Sequence, residues 1–292
     1  MISKISPREF DFVVNRLRGF CRERGLFEVH TGNILSILAA CEDPTTIGQF
    51  TYAGDVWPLP QTGQMHLEKE LLEDPTLPGV FCVSTSYRQE PEPVPGRHDL
   101  IFPMFEFELR GGMDVLEEFE RDLLEHLGFG ESSAFPSGNY LDTAHRFGAK
   151  LIDAQVEEEI GREFGPVFFL KHFPDNTSPF WNMRRDGHLA RKIDVILHGI
   201  ETVGSAERSC DPAEMHYHFE TISDGSYAKL LFGQFRRERV LRELDEFLSH
   251  SFFPRSGGGI GMTRIIRALR LSGLIKEGEK KAAVDILTSA RV

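Results

Sequence analysis

Three residues recur at intervals of seven in the second half of the chain: Asp194, Glu201 and Arg208. Two carboxylates facing a polyphosphate normally hold Mg2+, which bridges phosphate oxygens and neutralises their charge. An arginine supplies forked donors that match a phosphate or a carboxylate. Further cations come from separate segments: Arg88, the pair Arg97 and His98, and Arg264. Phe102 follows the pair and offers an aromatic face for a purine. Arg264 closes the run Ser256-Gly257-Gly258-Gly259-Ile260-Gly261-Met262-Thr263. Glycines such as Gly259 and Gly261 let backbone come close to a ligand or another strand, because no Cβ intervenes. Arg264 falls in the first turn of the helix that follows, where it joins the positive helix end in holding a phosphate. Taken singly, these residues have commonplace roles. The glycine turn packs a strand on a helix, Asp194 or Arg208 makes a sheet salt bridge, Phe102 fills core and Glu68 lies on the surface. Neither GxxxxGK[ST] nor a GxGxxG after a strand is present, so a nucleotide site here is of another kind.

The elements that must position these groups can be read from periodicity. Ser6-Pro7 reads as an N-cap with proline at the first helical position, and Phe10, Val13, Val14, Leu17 and Phe20 carry a helix over 7–25 that Gly25 ends. A short strand follows at 26–31. Residues 40–60, rich in glycine and proline, are loops and short strands, and Thr62 caps a helix beginning Gly63-Gln64-Met65-His66-Leu67-Glu68. The strand 80–85 delivers Arg88 and Glu90 into a proline-rich loop, with Arg97 and His98 on its tip, and the chain returns as a strand over 101–109. An acidic amphipathic helix spans 113–127, and 130–165 is a connecting segment with one helix around 151–163. Extended pieces follow at 167–170, 179–183, 193–198 and 201–208, then helices at about 211–222 and 228–248. Hairpin strands flanked by helices predict an α+β fold with an antiparallel sheet rather than a doubly wound one.

Composition narrows the setting. The chain has 292 residues, 40% hydrophobic and 27% charged, with a net charge of −12. This acidic balance counts against a broad nucleic-acid surface, and Arg236, Arg237 and Arg239 read as a solvated helix face. There is no long apolar run for a membrane span and no apolar region of a signal peptide. Cys21, Cys41, Cys82 and Cys210 are scattered, without a CxxC pair, which fits a reducing cytoplasm.

Arg88-Gln89-Glu90 with Arg97-His98 and Phe102 resembles motif 2 of the class II aminoacyl-tRNA synthetases, and Gly257 to Arg264 resembles their motif 3. The helix 7–25 and strand 26–31 occupy the place of motif 1, the dimer motif. The resemblance covers roughly residues 8–270. Within that class, Thr62 to Glu68 is similar to the Ser-Gly-Gln-Leu-His-Leu-Glu stretch of asparaginyl-tRNA synthetases. Phe173-Pro174 with Pro179-Phe180, and the segment Glu201 to Arg208 with Asp211-Pro212, are similar to aspartyl enzymes.

The resemblance implies a class II synthetase-like antiparallel β-sheet flanked by helices, in a single catalytic domain over 1–292, acting as a homodimer with ATP and Mg2+. It implies that Arg88 holds the α-phosphate, that Glu90, Arg97, His98 and Phe102 place the ATP with Gly259 and Gly261 close by, and that Arg264 binds the γ-phosphate. Asp194 and Glu201 would hold Mg2+, while Gln64, Glu68 and Arg208 would bind an aspartate- or asparagine-like amino acid. Ile101, Thr263, Gly32 and Leu67 depart from the usual glutamate, acid, proline and lysine of the family. The motif 1 helix begins at residue 7, which leaves no room for the N-terminal anticodon-binding domain usual in this group. The expectation is therefore adenylation of a carboxylate followed by amide formation with ammonia or another amine rather than tRNA charging. In this the chain is similar to the free-standing archaeal asparagine synthetases related to asparaginyl-tRNA synthetase. The alternatives are a truncated synthetase paralogue that acylates a tRNA or carrier, and a non-catalytic regulatory paralogue.

Overall fold

Between residues 101 and 110 the odd positions Phe105, Phe107 and Leu109 are apolar while the even ones include Met104, Glu106 and Glu108. A period of two in a strand sends the two sets to opposite faces of a sheet. The computed structural model describes residues 5–32, 34–37, 46–94, 99–177 and 179–275. In chain order its strands are β1 (Phe27–Glu28), β2 (Gln49–Tyr52), β3 (Asp55–Pro58), β4 (Gly79–Tyr87), β5 (Ile101–Arg110), β6 (Ser137–Asn139), β7 (Val167–Pro174), β8 (Arg185–Asp186), β9 (Leu189–Leu197), β10 (Ile200–Glu207) and β11 (Arg255–Gly261). Its helices are α1 (Pro7–Glu23), α2 (Gln64–Glu73), α3 (Met113–Leu127), α4 (Tyr140–Arg146), α5 (Ala154–Phe164), α6 (Pro212–Thr221), α7 (Ser226–Gln234), α8 (Arg237–Leu248) and α9 (Met262–Leu271).

Among the described residues the main sheet runs β1-β4-β5-β11-β10-β9-β7-β6, with β8 paired to β9 and β2–β3 a separate hairpin. Its central pairings are antiparallel, and only the edge pairs β1–β4 and β6–β7 are parallel. This is the expected α+β architecture. On one face α1, α3 and α9 bury Phe105, Phe107, Leu109, Val195, Val203 and Ile260. On the other, α2 packs Leu67 and Leu71 on Val80 and Cys82, α4 and α5 cover Phe168 and Ile196, and α6 to α8 pack around Trp181. These three groups stand apart, and the strip between them carries the site.

Several local expectations are corrected. Ser6 occupies the N-cap but its side chain makes no capping bond, so Pro7 and the buried stripe Val13, Val14, Leu17 and Phe20 define α1. Thr62 lies one position outside the cap, which is Gly63. The segment before β7 holds two helices, because Tyr140 and Ala144 supply a buried face of their own. Residues 179–183 form turns with a single bridge from Met183 to Arg208 instead of a strand. The helix expected over 228–248 breaks at Arg236, whose φ of 61° no helix accommodates. Its guanidinium reaches Asp55 at 2.6 Å. The arginine cluster is a solvated face only in part: Arg236 and Arg237 are exposed, but Arg239 is buried, 3.8 Å from the centre of the Trp57 ring.

The glycine run is the largest correction. It is a strand at the centre of the sheet, between β5 and β10, not a turn. A Cβ on Gly257 would stand 2.8 Å from Glu108 Cα, and one on Gly258 would stand 2.6 Å from the Gly204 carbonyl. The absence of side chains lets the neighbouring strands close in from both sides.

Candidate active site

The seven-residue spacing has a mechanical origin. β9 and β10 join through the two-residue turn His198-Gly199, both with positive φ (48° and 75°), as twisted hairpins favour. Asp194 then pairs directly with Gly204. A strict period of two would send Glu201 to the far face with Val203, but a bulge between them re-aims it. The carboxylates of Glu201 and Asp194 consequently approach the same point. A Cβ on Gly204 would lie 2.9 Å from Glu201 Oε1 and 3.6 Å from Asp194 Oδ1. Gly204 thus leaves a cradle between two oxygen ligands of the kind Mg2+ prefers, and the residues fit that ion.

Beside this pair opens a cavity of about 260 Å3. Gln64, Arg88, Glu90, Glu201, Arg208 and Gly259, singled out in the sequence, all line it. Arg88 leaves the end of β4 with its guanidinium 5.8 Å from the centre of the Phe102 ring. Its buried Nε has no hydrogen-bond partner among the described residues. A desolvated donor of this kind is costly unless an anion completes it. Phe102 is half-buried on the same face of β5 as Glu106 and lies beside the cavity rather than in its lining. Arg264 sits in the first turn of α9, as expected, and donates to the Glu201 carbonyl at 2.6 Å. Gly261 precedes it, outside the lining. Arg97 and His98 lie outside the described residues.

Glu68 lies outside the cavity lining. It is fully buried behind Arg208, and its carboxylate accepts from Arg255 Nη2 at 2.8 Å, Arg255 Nε at 3.1 Å and Asn182 Nδ2 at 2.7 Å. Arg208 Nε is 3.6 Å from the same carboxylate, and Nη2 donates to the Gly257 carbonyl at 3.0 Å and reaches Glu108 at 3.4 Å. Glu108 also accepts from Gln64. Arginines and carboxylates therefore alternate from Arg255 to Gln64 and hold the Arg208 side chain at the cavity wall. Burial pushes Glu108 above the usual carboxylate range, and Arg208 pulls it back.

Other polar groups at or behind the cavity are not evident from the sequence. Glu106 lines the cavity and accepts from the Gly63 amide at 2.8 Å and from Thr62 and Ser84. Burial raises its pKa, and these donors oppose the rise. The signal that could find it is two carboxylates at alternate positions of an otherwise apolar strand. Lys192, two residues before Asp194 on the same face, also lines the cavity, with Nζ 3.1 Å from Asp194 Oδ2. Arg255, directly before Ser256 and the glycines, gives a signal only through its position.

Beneath the site, Glu120 on α3 is buried, which pushes its pKa from 4.5 up to about 8; Ser205 opposes the shift, and Asp194 and Glu117 add to it. Between those two values the folded protein retains a proton that the unfolded chain releases, so this contribution to stability is full below about pH 4.5 and lost as pH rises through about 8. Glu120→Gln, which mimics the protonated side chain, is expected to melt above the parent protein at pH 9, with the gap shrinking towards pH 5. Thermal unfolding at the two pH values checks this; a constant gap refutes it.

The strand order and the helix-flanked cleft are those of a class II synthetase core. Solved structures that share it include asparaginyl-tRNA synthetase from Pyrococcus horikoshii complexed with asparaginyl-adenylate, with a TM-score of 0.70 at 19% identity over 90% of this chain and 64% of that one. The Entamoeba histolytica asparaginyl-tRNA synthetase in complex with asparaginyl-adenylate superposes with a TM-score of 0.71 at 18% identity, over 90% of this chain and 63% of that one. The chain belongs to the class II tRNA synthetase family (D, K and N), whose model matches residues 9–277. Curated relatives include the aspartate–tRNA(Asp) ligase of Pyrobaculum aerophilum, 25% identical over 84% of this chain and 59% of the relative. The aspartate–tRNA(Asp/Asn) ligase of Methanopyrus kandleri is 23% identical over 91% of this chain and 64% of the relative. The chain thus spans less than two thirds of the length of these relatives.

Proposed function

We propose that this protein activates the carboxylate of an aspartate- or asparagine-like amino acid with ATP, forming an acyl-adenylate and releasing pyrophosphate. The observation that carries the reading is Arg88, which lines the cavity together with Arg208 and Glu201 and whose buried Nε has no hydrogen-bond partner among the described residues. Arg88 holds the α-phosphate and stabilises the charge that builds on it as the carboxylate oxygen attacks phosphorus and the bond to pyrophosphate breaks. Phe102, beside it, supports the adenine, with Glu90, Arg97 and His98 placing the nucleotide. Gly259 and Gly261 let it lie close to the strand. Glu106 accepts the α-ammonium, and Arg208 binds the remaining carboxylate or amide oxygen of the amino acid. Glu68 acts through Arg208. Mg2+, held by Asp194 and Glu201, would supply charge neutralisation on the phosphates.

For the second step we propose an amine acceptor, ammonia first, with the aspartate side chain as the activated group and Arg208 on the α-carboxylate. The net charge of −12 supports an acceptor that is not a polyanion. The relatives' tRNA is the competing acceptor, and an unsatisfied arginine in the cleft speaks against a purely regulatory paralogue. ATP–pyrophosphate exchange over a panel of amino acids tests the first step. Exchange with aspartate or asparagine is expected, and no exchange with any amino acid sinks the reading. Adding ammonia or tRNA to the exchanging mixture then separates asparagine formation from aminoacyl-tRNA formation.

A further inference from the structure

Each carboxylate assigned to the metal already faces a cation of the chain itself. Lys192 Nζ lies 3.1 Å from Asp194 Oδ2, and Arg264 Nη1 lies 3.6 Å from Glu201 Oε2. The two cations differ in freedom. The Lys192 and Asp194 side chains are 11% and 10% exposed, so solvent screens their attraction little. The ammonium also rests 4.2 Å from the centre of the Phe173 ring. Across the sheet it faces Ala206, and Asp194 faces Gly204, so no bulky side chain separates the ammonium from the cradle. Arg264 is 28% exposed on the first turn of a helix, with a flat guanidinium suited to phosphate.

We infer that Lys192 is a tethered cation that competes with the divalent ion for Asp194, so that the protein takes its metal only together with a polyphosphate. This rests on the assignment of Asp194 and Glu201 to the metal. Without nucleotide, an incoming ion must displace an ammonium from Asp194 while Arg264 holds Glu201. With nucleotide, the phosphate oxygens draw Arg264 away from Glu201 and bring ligands of their own, while the Lys192 ammonium, which lines the same cavity, yields Asp194 to the ion and offsets the phosphate charge. Lys192 is thus a positioning residue, and its charge rather than its bulk sets the effect.

Mn2+ titration of the whole protein, following the signal of the unbound ion by electron paramagnetic resonance, tests this without any turnover. The parent protein is expected to bind Mn2+ weakly alone and tightly with a non-hydrolysable ATP analogue. Lys192→Met, which keeps an apolar stem against Phe173, is expected to bind Mn2+ alone about tenfold more tightly, the scale of one ion pair removed. Lys192→Arg, which keeps the charge, is expected to stay within about threefold of the parent protein, because the cation opposite Asp194 remains. Equal affinity of Lys192→Met and the parent protein overturns the inference, as does an equal gain in both variants or tight nucleotide-free binding by the parent. Failure of the amino-acid exchange assay, by contrast, leaves this titration readable and strikes only the proposed reaction.

Discussion

Replacing Arg88 by alanine is expected to lower ATP–pyrophosphate exchange by about 100- to 1,000-fold, the usual loss when one preorganised donor to a transition-state oxyanion is removed. Stability is expected to hold or to rise by about 1 kcal/mol, because the substitution removes a buried donor that lacks a partner. The reason lies in its surroundings. Arg88 is half-buried at the end of β4, its Nε has no hydrogen-bond partner among the described residues, and its guanidinium is near the Phe102 ring. The folded protein holds it there at a cost in desolvation, which an α-phosphate would offset. A lysine in its place would keep the charge and lose the fork, so Arg88→Lys is expected to fall between the two. Steady-state exchange together with a melting curve checks the split; full exchange in Arg88→Ala would remove the residue from the reaction.

The second large effect concerns stability. Arg255→Met is expected to destabilise the fold by about 3–5 kcal/mol, because it leaves the Glu68 carboxylate charged and buried without its main partner. Adding Glu68→Gln should recover much of that loss, since an amide in the same place needs no counter-charge. Urea unfolding of the parent, both single variants and the double variant gives the coupling directly, and additive losses would show that the two groups do not act as a pair. Both charges are fully buried and 2.8 Å apart. Arg255→Met should also slacken Arg208, which leans on Glu68 from the other side at 3.6 Å.

The core strands, the outer helices and six of the cavity residues are legible in the sequence, because each depends on local periodicity or on a motif held in one stretch. What stays hidden depends on partners far along the chain. The bulge that turns Glu201 towards Asp194 is a property of the β9–β10 ladder and is invisible in the spacing itself. Glu68 matches the motif by type and position, yet Arg255, 187 residues away, and Asn182 take its carboxylate. The break at Arg236 is masked because the apolar period runs through it, while the contact with Asp55 that accompanies the turn is tertiary. The glycine run reads locally as a turn, and only its placement between two strands makes it a strand.

That placement also bears on how the molecule assembles. β4 with β5 and β7 with β9 and β10 are each joined through neighbours in the chain, but among the described residues the two groups touch across the sheet only through β11, which follows β10 by nearly fifty residues. Until it arrives, β5 and β10 present bare edges to the solvent, the condition under which strands pair with the wrong partner. A strand of four glycines brings little apolar surface to hasten its own docking, so its arrival depends on backbone hydrogen bonds and on α9 closing behind it. Arg208 and Glu108 meet the Gly257 position only then. The cleft is expected to be the last part of the protein to take shape and the first to dissolve, with two half-sheets standing on either side of the gap.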